Sequence, residues 1–429
     1  MRKNLLRAGK IVSEEKTILI INPGSTSLKF KVYHFPEEKI LATGKVERIG
    51  GEKSEYHFYI GEKELKGQKS IPDYKSGIEL ILHVLTGQES ILRSINDLAA
   101  VGFKTVHAGP RSFGPGAVFL TDDILAEMER FELAAPLHNR VYLDTIACFR
   151  EVAPDVPLAA LFEPTFHATI TEEKYTCGIP YEWQEKYGIR RYGFHGASHR
   201  YISETAPALM GWSDKKRRKY GIVSCHLGGS SSLCAIRDGK SVDTTMEFSP
   251  QSGIVHSTRC ETIDPFILLF AQREMNLSTQ ELSRILCTES GLKGISGISG
   301  DMRDLREWAN LGNRRARLAM EVFYYQVRRQ IAAMATSLGG LDALVYTGGI
   351  GENGDLDRLE ICRGLEFLGI LIDEEKNSRT NGVAGCISIL TSPVEVWVIP
   401  TNEELIVARE VYNLISPPEK GDYRKDSKT

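Results

Sequence analysis

The sequence predicts an α/β protein of two lobes, each a mixed β-sheet flanked by helices, and three observations carry that prediction. Short β-rich runs alternate with helical patterns along the chain, which is the syntax of α/β folds. Past Tyr192 the same syntax starts again. The two halves also open alike: Gly24-Ser25-Thr26-Ser27-Leu28 and Gly229-Ser230-Ser231-Ser232-Leu233 each follow an apolar strand and enter another, as a duplication would leave them. A chain of 429 residues, 42% hydrophobic and 25% charged, is long enough for two cores.

Taken in order, residues 1–16 form a short leader, positively charged but without the apolar stretch of a signal peptide. TILIIN (17–22), LKFKVY (28–33) and YHFYI (56–60) are strands, followed by helical patterns and by AAVGFKTVH (99–107) and PLAALF (157–162). The second half opens with GIVSCHL (221–227) as a buried strand, a glycine turn, and SLCAIRDGKSVD (232–243) returning through an Asp-Gly turn. Asn313–Leu338 is a helix with Leu318, Val322, Ile331 and Met334 on its apolar face, stopped by Gly339-Gly340. Then LDALVYTGGIGENG (341–354) supplies a strand and glycine turn, and VEVWVIPTNEEL (394–405) a last strand entering a helix at Glu403, after a Thr401 cap. The first lobe is expected to hold 17–165 and regain the helix at about 405–415, the second 166–404. The polar, Pro-broken residues 416–429 are expected to be a disordered tail.

A formal charge of −3 gives no global attraction for nucleic acid or an anionic membrane, so anion binding has to be local. The basic run Lys215–Lys219 between a helical pattern and a strand is read as a solvated loop. Eight scattered cysteines with no CxxC pair suit reduced thiols in the cytoplasm, and no window has the length of a membrane span. The expected partners are therefore small molecules.

Phosphoryl transfer requires positive charge, a divalent metal and donors arranged around three equatorial oxygens. The turn Asn22-Pro23-Gly24-Ser25-Thr26-Ser27-Leu28-Lys29 can offer backbone N–H groups and hydroxyls to phosphate, but it lacks the GxxxxGK[ST] spacing of a Walker A loop. With RRYGFHGASHRY (190–201), CHLGGSSSLCAIRDGKSVDTTM (225–246), TRCETIDP (258–265), ESGLKGISGISGDMRDL (289–305), YTGGIGENG (346–354) and IPTNEEL (399–405), the segment INPGSTSLKF resembles the signatures of the acetate kinase family, in the family's order and over residues 17 to about 412.

That resemblance implies two actin-like (ribonuclease H-like) lobes around a cleft, a homodimer, and transfer of the ATP γ-phosphoryl group to acetate or a related short-chain carboxylate. It implies that Arg259 stabilises the transferring phosphoryl, that His195 donates to an equatorial oxygen, and that Glu163 stands at an essential carboxylate position. Mg²⁺ (or Mn²⁺) would be held by Asn22 and Glu403. ATP or ADP would meet Lys29, the turn His226-Leu227-Gly228-Gly229-Ser230, Asp301-Met302-Arg303, and Gly349-Ile350-Gly351-Glu352-Asn353. The carboxylate substrate would meet Lys104 and His138 and a small apolar pocket of Val106, Leu137, Phe194 and Pro250, each of which taken alone is more often core than pocket.

Four positions depart from the family pattern. Lys104 replaces the arginine that usually grips the carboxylate, keeping charge but losing the bidentate fork. Glu163 replaces an aspartate with a stem one methylene longer. Gly229 replaces an asparagine at the phosphate turn. SPQSG (249–253), with Ser252, replaces a proline-leucine-glutamate-glycine pattern. Two outcomes are weighed: an active kinase with acetate, propionate or butyrate as acceptor, or a nucleotide-binding paralogue with weak or lost turnover. Activity is favoured because Asn22, Lys29, His195, Arg259, Asp301, Arg303 and Glu403 all remain.

Overall fold

The computed structural model describes residues 14–87, 91–212 and 220–416. The basic run 215–219, most of the leader and the tail beyond Ser416 lie outside the described residues.

The first sheet contains β1 (Lys16–Gly24), β2 (Ser27–Phe35), β3 (Lys39–Glu47), β4 (Ser54–Ile60), β5 (Lys63–Lys69), β6 (Leu98–Thr105), β7 (Val118–Phe119) and β8 (Leu158–Phe162), in the order β5-β4-β3-β2-β1-β6-β8-β7. The second contains β9 (Gly221–His226), β10 (Ser232–Arg237), β11 (Lys240–Thr244), β12 (Ala343–Thr347), β13 (Gly385–Cys386) and β14 (Glu395–Val398), in the order β11-β10-β9-β12-β14-β13. Each sheet has the same centre. An antiparallel meander (β3-β2-β1; β11-β10-β9) continues into two parallel strands (β6 and β8; β12 and β14). The duplication read from the paired Gly-Ser turns is thus a duplication of topology.

Side chains of β1 alternate between two cores, as strand geometry requires. Leu19 and Ile21 face a cluster with Phe30, Ile78, Phe103 and Phe149. Ile18 and Ile20 face the C-terminal helix Glu403–Ile415 through Ile406, Val407 and Val411. Gly102 on β6 permits that close approach, since an added Cβ would lie 2.7 Å from Ile20 Cδ1 and 2.9 Å from Val411 Cγ2. The last helix therefore crosses back onto the first sheet and sets Glu403 beside it.

Two local readings need correction. Leu318 is 41% exposed, and the buried stripe of the helix Arg314–Leu338 is Ala316, Met320, Phe323, Val327, Ile331, Met334 and Leu338. That stripe keeps 3- and 4-residue steps throughout, and Leu318 falls between its rows. The helix at Glu403 is capped by the Asn402 side chain, which accepts from Leu405 N at 3.4 Å, whereas the buried Thr401 hydroxyl has no partner.

Candidate active site

Ligands of α/β sheets gather outside the carboxyl ends of parallel strands, and the expected residues lie there in both lobes. Asn22 is near the end of β1, Lys104 near the end of β6, and Glu163 just after β8. In the second sheet His226 ends β9, Gly348 follows β12, and Glu403 follows β14.

Lys104 joins three of these elements. Its ammonium lies 3.2 Å from the Glu163 carboxylate and 2.5 Å from that of Glu403, with side-chain exposures of 14%, 4% and 14% for Lys104, Glu163 and Glu403. Burial lowers its affinity for the proton, but the Glu403 and Glu163 charges outweigh that and hold Lys104 well above the ordinary lysine range. One cation between two carboxylates leaves an excess negative charge. Burial raises Glu163 despite Lys104, while at Glu403 the Lys104 charge overcomes burial and keeps the carboxyl below its usual value. Glu163 Oε2 also accepts from Ala197 N at 3.2 Å, in the first turn of the helix Gly196–Leu209.

That helix aims two histidines. His195 precedes it in the left-handed region (φ 56°), and the next residue has to be glycine because a Cβ on Gly196 would lie 1.9 Å from Glu163 O. The His195 ring stacks on His226 with centroids 4.2 Å apart. Its Nδ1 is 2.9 Å from Ser232 Oγ, and His226 Nδ1 is 2.8 Å from Ser198 Oγ and 3.9 Å from Glu403. Burial, then the His226 charge, pushes His195 well below the usual histidine value, and burial lowers His226, so both rings are neutral near pH 7.

Arg259 donates to His138 Nε2 at 3.0 Å, to Ser230 Oγ at 3.2 Å and to Pro250 O at 3.3 Å. Burial, with the Arg259 charge, pushes His138 down to about 3 and keeps the ring neutral, and because a guanidinium can only donate, Nε2 is the acceptor. The Lys104 charge also acts on His138, His195, His226 and Tyr142, so these groups lie within reach of one ammonium. Asn22 joins them through the Tyr142 hydroxyl, which donates to its Oδ1 at 3.0 Å.

The expected nucleotide residues divide. Gly228, Gly229, Asp301, Met302, Arg303, Gly349, Ile350 and Asn353 line a cleft of about 470 Å³ with Ser257, Gly300, Gly354 and Asp357. Leu227, Gly351 and Glu352 build its wall instead. Leu227 O accepts from Ile350 N (2.8 Å) and Gly351 N (3.2 Å), and Glu352 Oε1 accepts from Gly348 N (2.8 Å) and Thr401 N (3.1 Å). Ser230 turns to Arg259, and His226 to His195. Lys29 lines a separate groove with Lys31, Lys45, His57 and Glu404, while its charge still acts on Glu403.

The acyl-pocket residues divide as well. Val106, Phe194 and Pro250 are buried, Phe194 against His107 at 5.5 Å between ring centroids, whereas Leu137 lines a groove with Leu133, Pro136 and Cys287. Ser252 is a turn residue: its hydroxyl accepts from Glu247 N and donates to Ser249 O, both at 2.8 Å. Gly229 has room for a side chain, since the nearest atom to an added Cβ is Ser257 Cβ at 4.0 Å.

Among the described residues no group of three or more His, Cys, Asp or Glu side chains is placed to hold a metal. Mg²⁺ needs less, because it keeps several waters and takes one or two carboxylates or other hard oxygens. Asn22, Glu163 and Glu403 supply such oxygens, and the unpartnered Thr401 hydroxyl lies two residues from Glu403, so the donor set fits that ion. Sequence reasoning missed Tyr142, Ser232 and His199, the buried groups that hold Asn22 and His195. The pair of histidines four apart in GFHGASH was a usable signal for His199.

A profile of the Acetokinase family matches residues 17–409. The acetate kinase of Dictyoglomus thermophilum is 44% identical over 400 residues, covering 93% of this chain and 99% of that protein. An acetate kinase from Clostridium botulinum is 42% identical over 394 residues, 92% of this chain and 98% of that protein. The crystal structure of Porphyromonas gingivalis acetate kinase superposes with a TM-score of 0.81 at 33% identity, covering 93% of this chain and all of that one. A propionate kinase from Francisella tularensis superposes with a TM-score of 0.82 at 34% identity over 92% of this chain and 98% of its own. With two duplicated sheets, a cluster of paired charges at their strand ends and a family match over nearly the whole described chain, the protein belongs to the acetokinase family of carboxylate phosphotransferases.

Proposed function

We propose that the chain catalyses reversible transfer of the ATP γ-phosphoryl group to acetate, giving acetyl phosphate and ADP by direct in-line attack of a carboxylate oxygen. The observation that supports this reading is that Lys104 pairs with Glu163 and Glu403 while its charge reaches His195 and also His138, on which Arg259 rests, and that the other Arg259 partner, Ser230, directly follows Gly229 of the glycine-lined cleft. ATP would lie in that cleft, with its phosphates directed toward His195 and Arg259. The Arg259 fork, seated on His138 and Ser230, would balance charge on the equatorial oxygens, and a neutral His195 would donate one hydrogen bond. Asn22 and Glu403, with Glu163 beside them, would hold Mg²⁺, which when bound neutralises phosphate charge. Lys104 would orient the acceptor carboxylate by exchanging part of its pairing with Glu163. Closure of the lobes would exclude water from the transfer.

Hydroxylamine trapping of acyl phosphate with Mg-ATP and acetate, propionate or butyrate tests this. Acetyl hydroxamate forming fastest is expected. ATP binding with no hydroxamate from any acid would overturn it in favour of a nucleotide-binding paralogue. A propionate preference is the second reading, favoured by the similarity to the Francisella tularensis propionate kinase. A homodimer is supported by the helix Pro265–Met275, which buries none of its residues and exposes Phe266, Ile267, Leu269 and Phe270. Sedimentation at a single-chain mass would refute it. No helix among the described residues is long and apolar enough to cross a membrane, and a cytoplasmic setting is proposed from the reduced cysteines.

A further inference from the structure

A neutral imidazole has one N–H, so His195 can donate to a phosphoryl oxygen only if its proton is on Nε2 and Nδ1 is an acceptor. Behind His195 lies a chain of buried groups. Its Nδ1 is 2.9 Å from Ser232 Oγ, Ser232 Oγ is 2.8 Å from His199 Nε2, and His199 Nδ1 is 2.9 Å from Ser224 Oγ. Ser232, His199 and Ser224 have no solvent exposure.

Ser232 sits between two imidazoles with a single proton to give, so three arrangements keep all three bonds: two in which the bonds run the same way along the chain, and a third in which both imidazoles donate to Ser232, leaving the buried Ser232 proton without an acceptor and His195 protonated on Nδ1. In the first, the Ser224 hydroxyl donates to His199 Nδ1, His199 Nε2–H donates to Ser232, and Ser232 donates to His195 Nδ1. Every buried proton is then used, and His195 carries its remaining N–H on Nε2, the nitrogen turned away from the chain. In the second, all three bonds reverse. His199 Nδ1–H then donates to Ser224, whose own proton has no acceptor, a buried orphan that costs about 1–3 kcal/mol. His195 would also be left with a bare lone pair on Nε2. Burial pushes both rings well below the usual histidine value, so neither escapes the choice by taking a second proton.

We infer that Ser224, His199 and Ser232 are positioning residues, a relay of hydrogen bonds that fixes His195 in the Nε2–H tautomer. The inference rests on the proposed donor role of His195 for its functional meaning, but the tautomer itself is a property of the ligand-free protein. The helix that begins at Gly196 and strands β9 and β10 each supply a member, so the second lobe sets the tautomer as a unit.

The test is nitrogen NMR of the full-length, ¹⁵N-histidine-labelled protein without ligands, with His195 identified by its loss in His195→Gln. A pyrrole-type Nε2 and pyridine-type Nδ1 are expected. A protonated Nδ1 would overturn the relay whatever the enzyme does. In Ser232→Ala the two tautomers should mix, and kcat should fall between about 10-fold and 100-fold because the donor is lost in part, with KM for ATP changed by less than about twofold. His199→Gln, whose amide can still donate to Ser232, should retain the wild-type His195 spectrum and most of kcat, whereas His199→Met should behave as Ser232→Ala. An unchanged His195 spectrum in both Ser232→Ala and His199→Met would refute the assignment. Full turnover in His195→Ala, with the expected spectrum in the wild type, would instead overturn the donor role alone.

Discussion

Removing the Lys104 charge exposes what the ion-pair cluster stores. Lys104→Ala leaves the Glu163 and Glu403 carboxylates, 4% and 14% exposed, facing a site without a cation. Breaking a buried ion pair by deleting one partner costs about 3–5 kcal/mol, mostly the price of the uncompensated charge. For a cooperative unit the size of one lobe, each kcal/mol shifts Tm by about 2–4 °C, so the variant should melt about 6–20 °C below the wild type. Thermal unfolding at pH 7.5, without nucleotide or divalent metal, measures this. If charge is the cause rather than a lost side chain, Glu163→Gln in the same background should recover at least half of the deficit, because it removes one of the two carboxylates. The gap should also narrow toward pH 6: without the ammonium both carboxyls have raised pKa values, so the penalty exists above those values and fades as they protonate. A Tm within 2 °C of the wild type, or a double variant as unstable as the single one, would show that Lys104 does not compensate these carboxylates.

Other expectations follow from the same geometry. Lys104→Arg should lower the Michaelis constant for acetate by restoring a bidentate fork, and an unchanged or higher constant would show that Lys104 is not the carboxylate anchor. Gly196→Ala forces a Cβ to within 1.9 Å of Glu163 O, so soluble yield and Tm should drop, with an overpacking cost of about 1–3 kcal/mol or more; a wild-type melting curve would refute the fit of that turn. Acid should unfold the protein through its buried histidines. Burial pushes His107 and His167 to about 4, His138 and His256 to about 3, and His195 and His199 well below normal. The unfolded chain binds protons below its histidine pKa of about 6.5 that these folded sites refuse, so stability is lost as pH falls through that value. At about pH 5.5 each histidine contributes about 1.4 kcal/mol of loss, about 8 kcal/mol for the six, comparable with the whole stability of a domain. Circular dichroism melts showing the same Tm at pH 8 and pH 5.5 would contradict this.

What was legible in the sequence depended on whether the signal was local. Paired Gly-Ser turns, the Asp238-Gly239 turn with φ of 49° and 78°, and Asn313 and Gly339 at the two ends of one long helix all encode their geometry in adjacent residues, and each was read correctly. Leu318 was misassigned because hydropathy alone does not fix the phase of a helix, which is set by the neighbours covering its small residues Ala316 and Ala319. The site divided along the same line. Motif resemblance brought out Arg259, His195, Asn22 and Glu403, whereas Tyr142, which fixes Asn22, comes from a helix far away in sequence and stands in no motif.

The Lys104 and Glu163 departures illustrate the deeper limit. Read singly, each looks like damage to an active site: a cation that lost its fork and a carboxylate on too long a stem. In three dimensions they are partners 3.2 Å apart, so a change of reach on one side meets a change on the other. The pair keeps charge and contact while its shape is altered, and shape governs which carboxylate it can share Lys104 with. A chain that had abandoned catalysis would have no reason to keep a buried cation between two acids, since an apolar replacement of the same volume is often the more stable choice. That costly arrangement is the physical ground for expecting turnover rather than mere nucleotide binding.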